Sequence, residues 1–129
     1  MGEPGNPQRQ SPFDGRRALV VEDETIVAFL IEDMLTELGC AEVWLANTVS
    51  AALAILAERR PDIAVLDVNL AGDEAYKVAE RLEADNVPFV FATGYGRDAI
   101  VERWAQKPVI QKPFRFETFE QALESALKT

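Results

Sequence analysis

Five short apolar runs, each followed by a segment whose apolar residues recur at helical spacing, leave this chain few folds to choose from. The runs are residues 18–21, 42–46, 63–66, 89–92 and 109–110. Strands that are continuously apolar rather than alternating belong in a sheet covered on both faces, and strand-helix-strand order with short loops makes that sheet parallel. Between the first two runs, Ile26, Phe29, Leu30, Met34, Leu35 and Leu38 form one apolar helix face that stops at Gly39. Asn47 or Thr48 offers an N-cap to a second helix lined by Ala52, Leu53 and Leu56, which must end before Pro61. A third begins near Glu74 and carries Ala75, Val78, Ala79 and Leu82. A fourth, at residues 97–105, carries Ile100, Val101 and Trp104, and a fifth, at 117–127, carries Phe119, Ala122, Leu123 and Leu127. The pattern predicts an α/β fold: a flavodoxin-like, doubly wound parallel sheet of five βα units in the strand order 2-1-3-4-5.

A chain of 129 residues is one domain. Residues 1–16 are rich in Pro, Gly, Gln and Asn, with Phe13 the lone large apolar side chain after Met1, and read as a flexible N-terminal tail ahead of a folded domain at 17–129. No window approaches the roughly 18 unbroken apolar residues of a membrane span. Thirteen basic against 22 acidic side chains give a net charge of −9, which argues against a phosphate-backbone ligand such as nucleic acid. Zero histidine removes Ser-His-Asp and Cys-His catalysis and imidazole metal sites, and one cysteine removes disulfide frameworks and Cys-based zinc sites. With no secretory pattern and a lone reduced Cys40 that reads as a small packing residue, a cytoplasmic monomer is expected.

In this strand order ligands sit beyond the carboxyl ends of the strands, at the switch point between strands one and three. Those ends are polar: Glu22-Asp23-Glu24 after the first run, Asp67 with Val68-Asn69 after the third, Thr93-Gly94 after the fourth and Lys112-Pro113 after the fifth. Glu22, Asp23 and Asp67 would crowd on one rim, and crowded carboxylates raise one another's pKa or demand a cation. Oxygen ligands without Cys or His specify a hard ion, and Mg2+ suits them, since it commonly uses one or two carboxylates, retains waters and accepts a phosphoryl oxygen.

The order Glu-Asp, Asp, Thr, Lys-Pro resembles the receiver domain of two-component response regulators, the CheY-like family. The matching pieces are Val20-Val21-Glu22-Asp23-Glu24, Val65-Leu66-Asp67-Val68-Asn69-Leu70, Phe91-Ala92-Thr93-Gly94-Tyr95 and Gln111-Lys112-Pro113-Phe114. The resemblance implies that Asp67 is the phosphoacceptor and that Asp23 ligates Mg2+ directly, Glu22 through water and Asn69 by its backbone carbonyl. Thr93 and Lys112 would bind the acyl phosphate. With no histidine in the chain, the phosphoryl group must come from a partner, by resemblance a histidine kinase or histidine phosphotransfer protein. The common pattern has an aromatic residue three positions before the lysine; here that position is Val109. Residues 88–96 instead resemble the FAT GUY subfamily, which lacks the aromatic switch; Tyr95 is a candidate substitute, and Gly94 and Gly96 beside it, with few large apolar residues in the fourth helix, predict a mobile loop and fourth helix. The expectation is a stand-alone receiver that signals to a downstream protein by contact or onward phosphotransfer, in stress signalling at family level, with only self-phosphorylation and self-dephosphorylation chemistry of its own.

Rival readings rest on the same residues. An aspartate-nucleophile phosphatase would carry a second Asp where Asn69 stands, and a flavin carrier would need a hydroxyl-rich loop where Glu22-Asp23-Glu24 stands. A non-phosphorylated adaptor on the receiver fold is the remaining alternative. Trp44, Trp104, Phe114, Phe116 and Phe119 read as core or partner surface, and Arg59-Arg60 as a solvated pair at a helix C-terminus.

Overall fold

The computed structural model describes residues 11–68, 75–94, 104 and 106–128. The elements are β1 (Arg17–Val21), α1 (Thr25–Leu38), β2 (Glu42–Ala46), α2 (Val49–Glu58), β3 (Ile63–Asp67), α3 (Ala75–Ala84), β4 (Phe89–Thr93), β5 (Val109–Gln111) and α4 (Phe116–Leu127). The sheet runs β2-β1-β3-β4-β5 with every neighbouring pair parallel, as the continuous apolar runs predict. The predicted fourth helix at 97–105 lies outside the described residues apart from Trp104, and the predicted fifth is α4.

Alternate residues of the strands feed two cores, because successive side chains of a strand point to opposite faces. On one face Leu19, Val21, Ala64, Leu66, Phe89 and Phe91 pack under α2 and α3. On the other Ala18, Val20, Ile63, Val65, Val90, Ala92 and Ile110 pack under Ile31 and Leu35 of α1 and Phe119 and Leu123 of α4. Thr48 is the N-cap of α2: its hydroxyl accepts from the Ala51 amide at 2.9 Å. Gly39 ends α1 at φ 119°, a left-handed conformation that glycine adopts without cost.

Two expectations are corrected. The apolar face assigned to α1 is only partly the one it buries: Leu35 and Leu38 face the sheet as expected, joined by Ala28 and Ile31, while Ile26, Phe29 and Leu30 are exposed. Val27, Ile31 and Leu35 continue the apolar positions around the helix, so periodicity alone selects no unique face. The folded part also begins earlier than expected. Residues 11–15 form turns in which the Gly15 amide donates to the Gly39 carbonyl at 2.9 Å, and Phe13 is completely buried beside α1 and Cys40. Burial of that ring outweighs the loop-forming composition around it. Phe13→Ala should therefore cost about 3–5 kcal/mol in urea unfolding, and a loss under about 1 kcal/mol would show that the segment merely rests on the domain.

Candidate functional site

The carboxyl ends of β1, β3, β4 and β5 converge on one rim, and backbone bonds just past the strands hold their side chains in place. The Glu22 amide donates to the Ala46 carbonyl at 3.0 Å, Val68 to Ala92 at 3.0 Å, and Lys112 to Thr93 at 2.7 Å. Each side chain thus leaves a backbone whose path is already fixed. The Lys112–Pro113 peptide is cis.

The Lys112 ammonium sits among carboxylates, 2.8 Å from Glu22 Oε1, 3.5 Å from Asp67 Oδ2 and 3.7 Å from Glu24 Oε1. Glu22 and Asp67 are buried and Asp23 is exposed, and each of these three offers an oxygen within 4.8 Å of the others. One ammonium therefore pairs with three carboxylates, Glu22, Asp67 and Glu24, and Asp23 adds a fourth beside Glu22 and Asp67. Glu22 Oε2 accepts from the Glu24 amide at 3.1 Å, while the buried Oε1 has the Lys112 ion pair but no contact of hydrogen-bond geometry. Thr93 is fully buried at the end of β4, level with Gln111 in the β4–β5 register.

Burial is the main cause that pushes the Glu22 carboxyl up to about 7; Lys112 and the Glu24 amide oppose the rise and Asp67 adds to it. Lys112 is itself held above its ordinary value, since burial would lower it but Glu22 and Asp67 outweigh that cost. The donor set fits a small hard dication: carboxylate oxygens only, mutually close, and more carboxylates than the one ammonium beside them can neutralise.

Of the residues singled out by sequence, Glu22, Asp23, Asp67, Thr93 and Lys112 are brought to this rim. Asn69 and Tyr95 lie outside the described residues. Val109 pairs in register with Phe91 and packs on the α3-side core, where Phe91 meets Tyr76, Phe89 and Trp104 edge to face at centroid distances of 6.0, 5.4 and 6.2 Å. Sequence reasoning assigned Glu24 no part in the site, although its place in an acidic run at the end of β1 was a usable signal. Cys40 is buried and its thiol pushed up to about 11 by burial, consistent with a packing role.

A family model described as the response regulator receiver domain matches residues 18–124. The solution structure of SdrG from Sphingomonas melonis Fr1 is similar with a TM-score of 0.78 and 42% identity, covering 88% of this chain and 97% of that one. The BeF3-activated conformation of SdrG from Pseudomonas melonis Fr1 gives 0.76 and 41%, covering 88% and 98%. The sensory transduction protein LytT of Bacillus subtilis (strain 168) is 29% identical over 119 residues, 87% of this chain but 48% of LytT, so the chain spans about half of that relative's length.

The Glu22 shift has a sign that can be checked. In the unfolded chain this carboxyl ionises near 4.5, whereas the fold resists its ionisation until about 7. Its contribution to stability is thus complete below the unfolded value and is lost as pH rises through the folded one. In chelator, Glu22→Gln should gain about 1–3 kcal/mol over wild type near pH 8, with the gain vanishing toward the unfolded pKa. Urea unfolding across that range measures it, and a pH-independent difference contradicts the assignment.

Proposed function

Because the chain belongs to the response regulator receiver domain family, we propose that it is a phosphoacceptor switch of a two-component phosphorelay in which Asp67 takes a phosphoryl group from a histidine-bearing partner. The observation that carries this reading is the Lys112 ammonium held between buried Glu22 and buried Asp67 beside a third carboxylate. An Asp67 oxygen attacks phosphorus, the new P–O bond forms as the P–N bond to the partner's imidazole breaks, and the leaving nitrogen takes up a proton. The chemistry requires little but positioning and charge compensation. Glu22, Asp23 and Asp67, with the Asn69 backbone carbonyl, would hold Mg2+, which supplies neutralisation of the phosphoryl oxygens when bound. Lys112 then exchanges part of its hold on Glu22 and Glu24 for a phosphoryl oxygen, and the Thr93 hydroxyl donates to another.

That exchange is the switch. Phosphorylation adds a charge of about −1.5 to −2 and three acceptors, and a charge pair some 4 Å apart is worth about 4 kcal/mol at an effective dielectric near 20. Inverting a 1:99 population to 99:1 takes about 5.5 kcal/mol, so a lysine contact with one charge-assisted hydroxyl bond, itself about 1.5–3 kcal/mol, is of the required order. Output then passes to a downstream protein by contact or onward phosphotransfer, with Tyr95 in the role of the missing switch aromatic. Stress signalling and a cytoplasmic setting belong to this reading as well.

The chain contains no histidine, so the donor's imidazole must be brought to Asp67 by a docked surface. The exposed stripe of α1 supports this: Ile26 is 84% accessible, and Phe29 and Leu30 stand beside it. Next to the stripe a groove of about 330 Å3, lined by Glu24, Val27, Leu30, Lys112, Pro113 and Phe114, reaches the site itself. Apolar residues three and four apart on a helix suit a second helix packed alongside, here one from the phosphohistidine partner.

Acetyl phosphate with Mg2+ should add one hydroxylamine-labile phosphoryl group to wild type and none to Asp67→Asn, read by mass spectrometry; labelling of both, or of neither, defeats the reading. Ile26→Glu should keep acetyl phosphate labelling while transfer from a phosphohistidine protein competent on wild type falls about tenfold. Equal transfer to both would move the docking surface elsewhere.

A further inference from the structure

On a chain of net charge −9, two guanidinium groups meet one indole at the β2 edge of the sheet. The Arg59 guanidinium lies 4.9 Å and the Arg17 guanidinium 5.8 Å from the centroid of the Trp44 ring. Arg17 is partly compensated, since Asp62 accepts from its backbone amide at 2.8 Å and approaches its guanidinium at 3.8 Å. The neighbouring Arg60 is spent on the carbonyls of Asp85 and Asn86 at 3.0 and 3.1 Å. Arg59 differs: it is exposed, and among the described residues its guanidinium has the indole face and no carboxylate. Two like charges beside one ring repel, and a ring face offsets each of them only weakly. A carboxylate placed between them would relieve that repulsion with charge-assisted hydrogen bonds.

The same residues sit on an open strand. β2 pairs only with β1 among the described residues, so its outer N–H and C=O groups have no strand partner. Val43, Trp44 and Leu45 are half-buried, whereas β3 and β4 are buried throughout. An edge of this kind accepts an added strand, the main chain supplying affinity and alternate side chains the specificity. Trp44 Nε1 donates to Glu42 Oε1 at 3.0 Å, which orients the indole at the centre of the strand and sets the Glu42 carboxylate opposite Arg17 in the register, so that Arg59 carries the uncompensated charge.

We propose that the β2 edge is a docking strand for an extended acidic segment of a partner protein, whose carboxylates engage Arg17 and Arg59 across Trp44. Nucleic acid would supply anions too, but the −9 balance repels a polyphosphate at longer range, while a short acidic strand meets only the local charge. The inference is independent of phosphorylation at Asp67.

The test is an NMR titration of the whole chain with a synthetic peptide alternating Glu and Val, beside a Lys/Val peptide and a single-stranded DNA oligonucleotide. The Glu/Val peptide should shift the Trp44 indole N–H saturably and slow exchange of the β2 amides, with affinity reduced about tenfold in Arg59→Glu and in Arg17→Glu. Arg59→Gln, which removes the charge without reversing it, should fall between wild type and Arg59→Glu. No response at β2, an equal response to the Lys/Val peptide, unchanged affinity in the variants, or tighter binding of the oligonucleotide would each overturn the proposal.

Discussion

One ammonium among several carboxylates sets the terms for the rest of the molecule. Lys112 touches Glu22, Asp67 and Glu24 with a side chain that is itself largely covered. A buried charge is tolerated only when it is paired, and removing one partner leaves the other stranded. The site is therefore stable enough to exist but short of positive charge, and that shortage is what a cation and a phosphoryl group can exploit. The chemistry needs no general base, which agrees with a chain that has no histidine.

The fold exists to bring those groups together. In the order β2-β1-β3-β4-β5 the central strands β1 and β3 lie side by side, so Glu22 and Asp67, separated by 45 positions in the chain, leave adjacent strand ends. Lys112 comes from the far edge, held level by the hydrogen bond its backbone amide donates to the Thr93 carbonyl across β4 and β5. Away from this rim the molecule presents two surfaces of different character: an apolar stripe on α1 beside the site, and an arginine-flanked indole on the edge of β2. On the proposed function, separate surfaces would allow the phosphoryl donor and a second partner protein to bind without competing.

Much of this was legible in the sequence, for a physical reason. A buried parallel strand is apolar without interruption, so the first polar residue after each run marks a strand end; Glu22, Asp67 and Thr93 announce themselves in this way, and Lys112 follows one place after Gln111. Parallel connectivity then restricts the sheet order to few choices. What sequence could not supply is information that lives only in tertiary contact. Phe13 stands alone in a stretch rich in Pro, Gly and Gln, with no periodicity to mark it as core, yet it is wholly buried. α1 has apolar residues around most of its circumference, and only the sheet decides that Ile31 and Leu35 turn inward while Ile26 and Phe29 stay outside. Glu24 reads as one member of an acidic turn until the approach of Lys112 shows where it points.

The central claim is that Lys112 and Thr93 are poised to change partners when an anion of phosphoryl shape joins Asp67. Titration with beryllofluoride, followed by NMR at the Lys112 and Thr93 signals, tests it most directly. Wild type should respond saturably when Mg2+ is present and lose the response in chelator, and Asp67→Asn should show none. A wild-type spectrum that is unmoved, or an equal response in Asp67→Asn, would contradict the account.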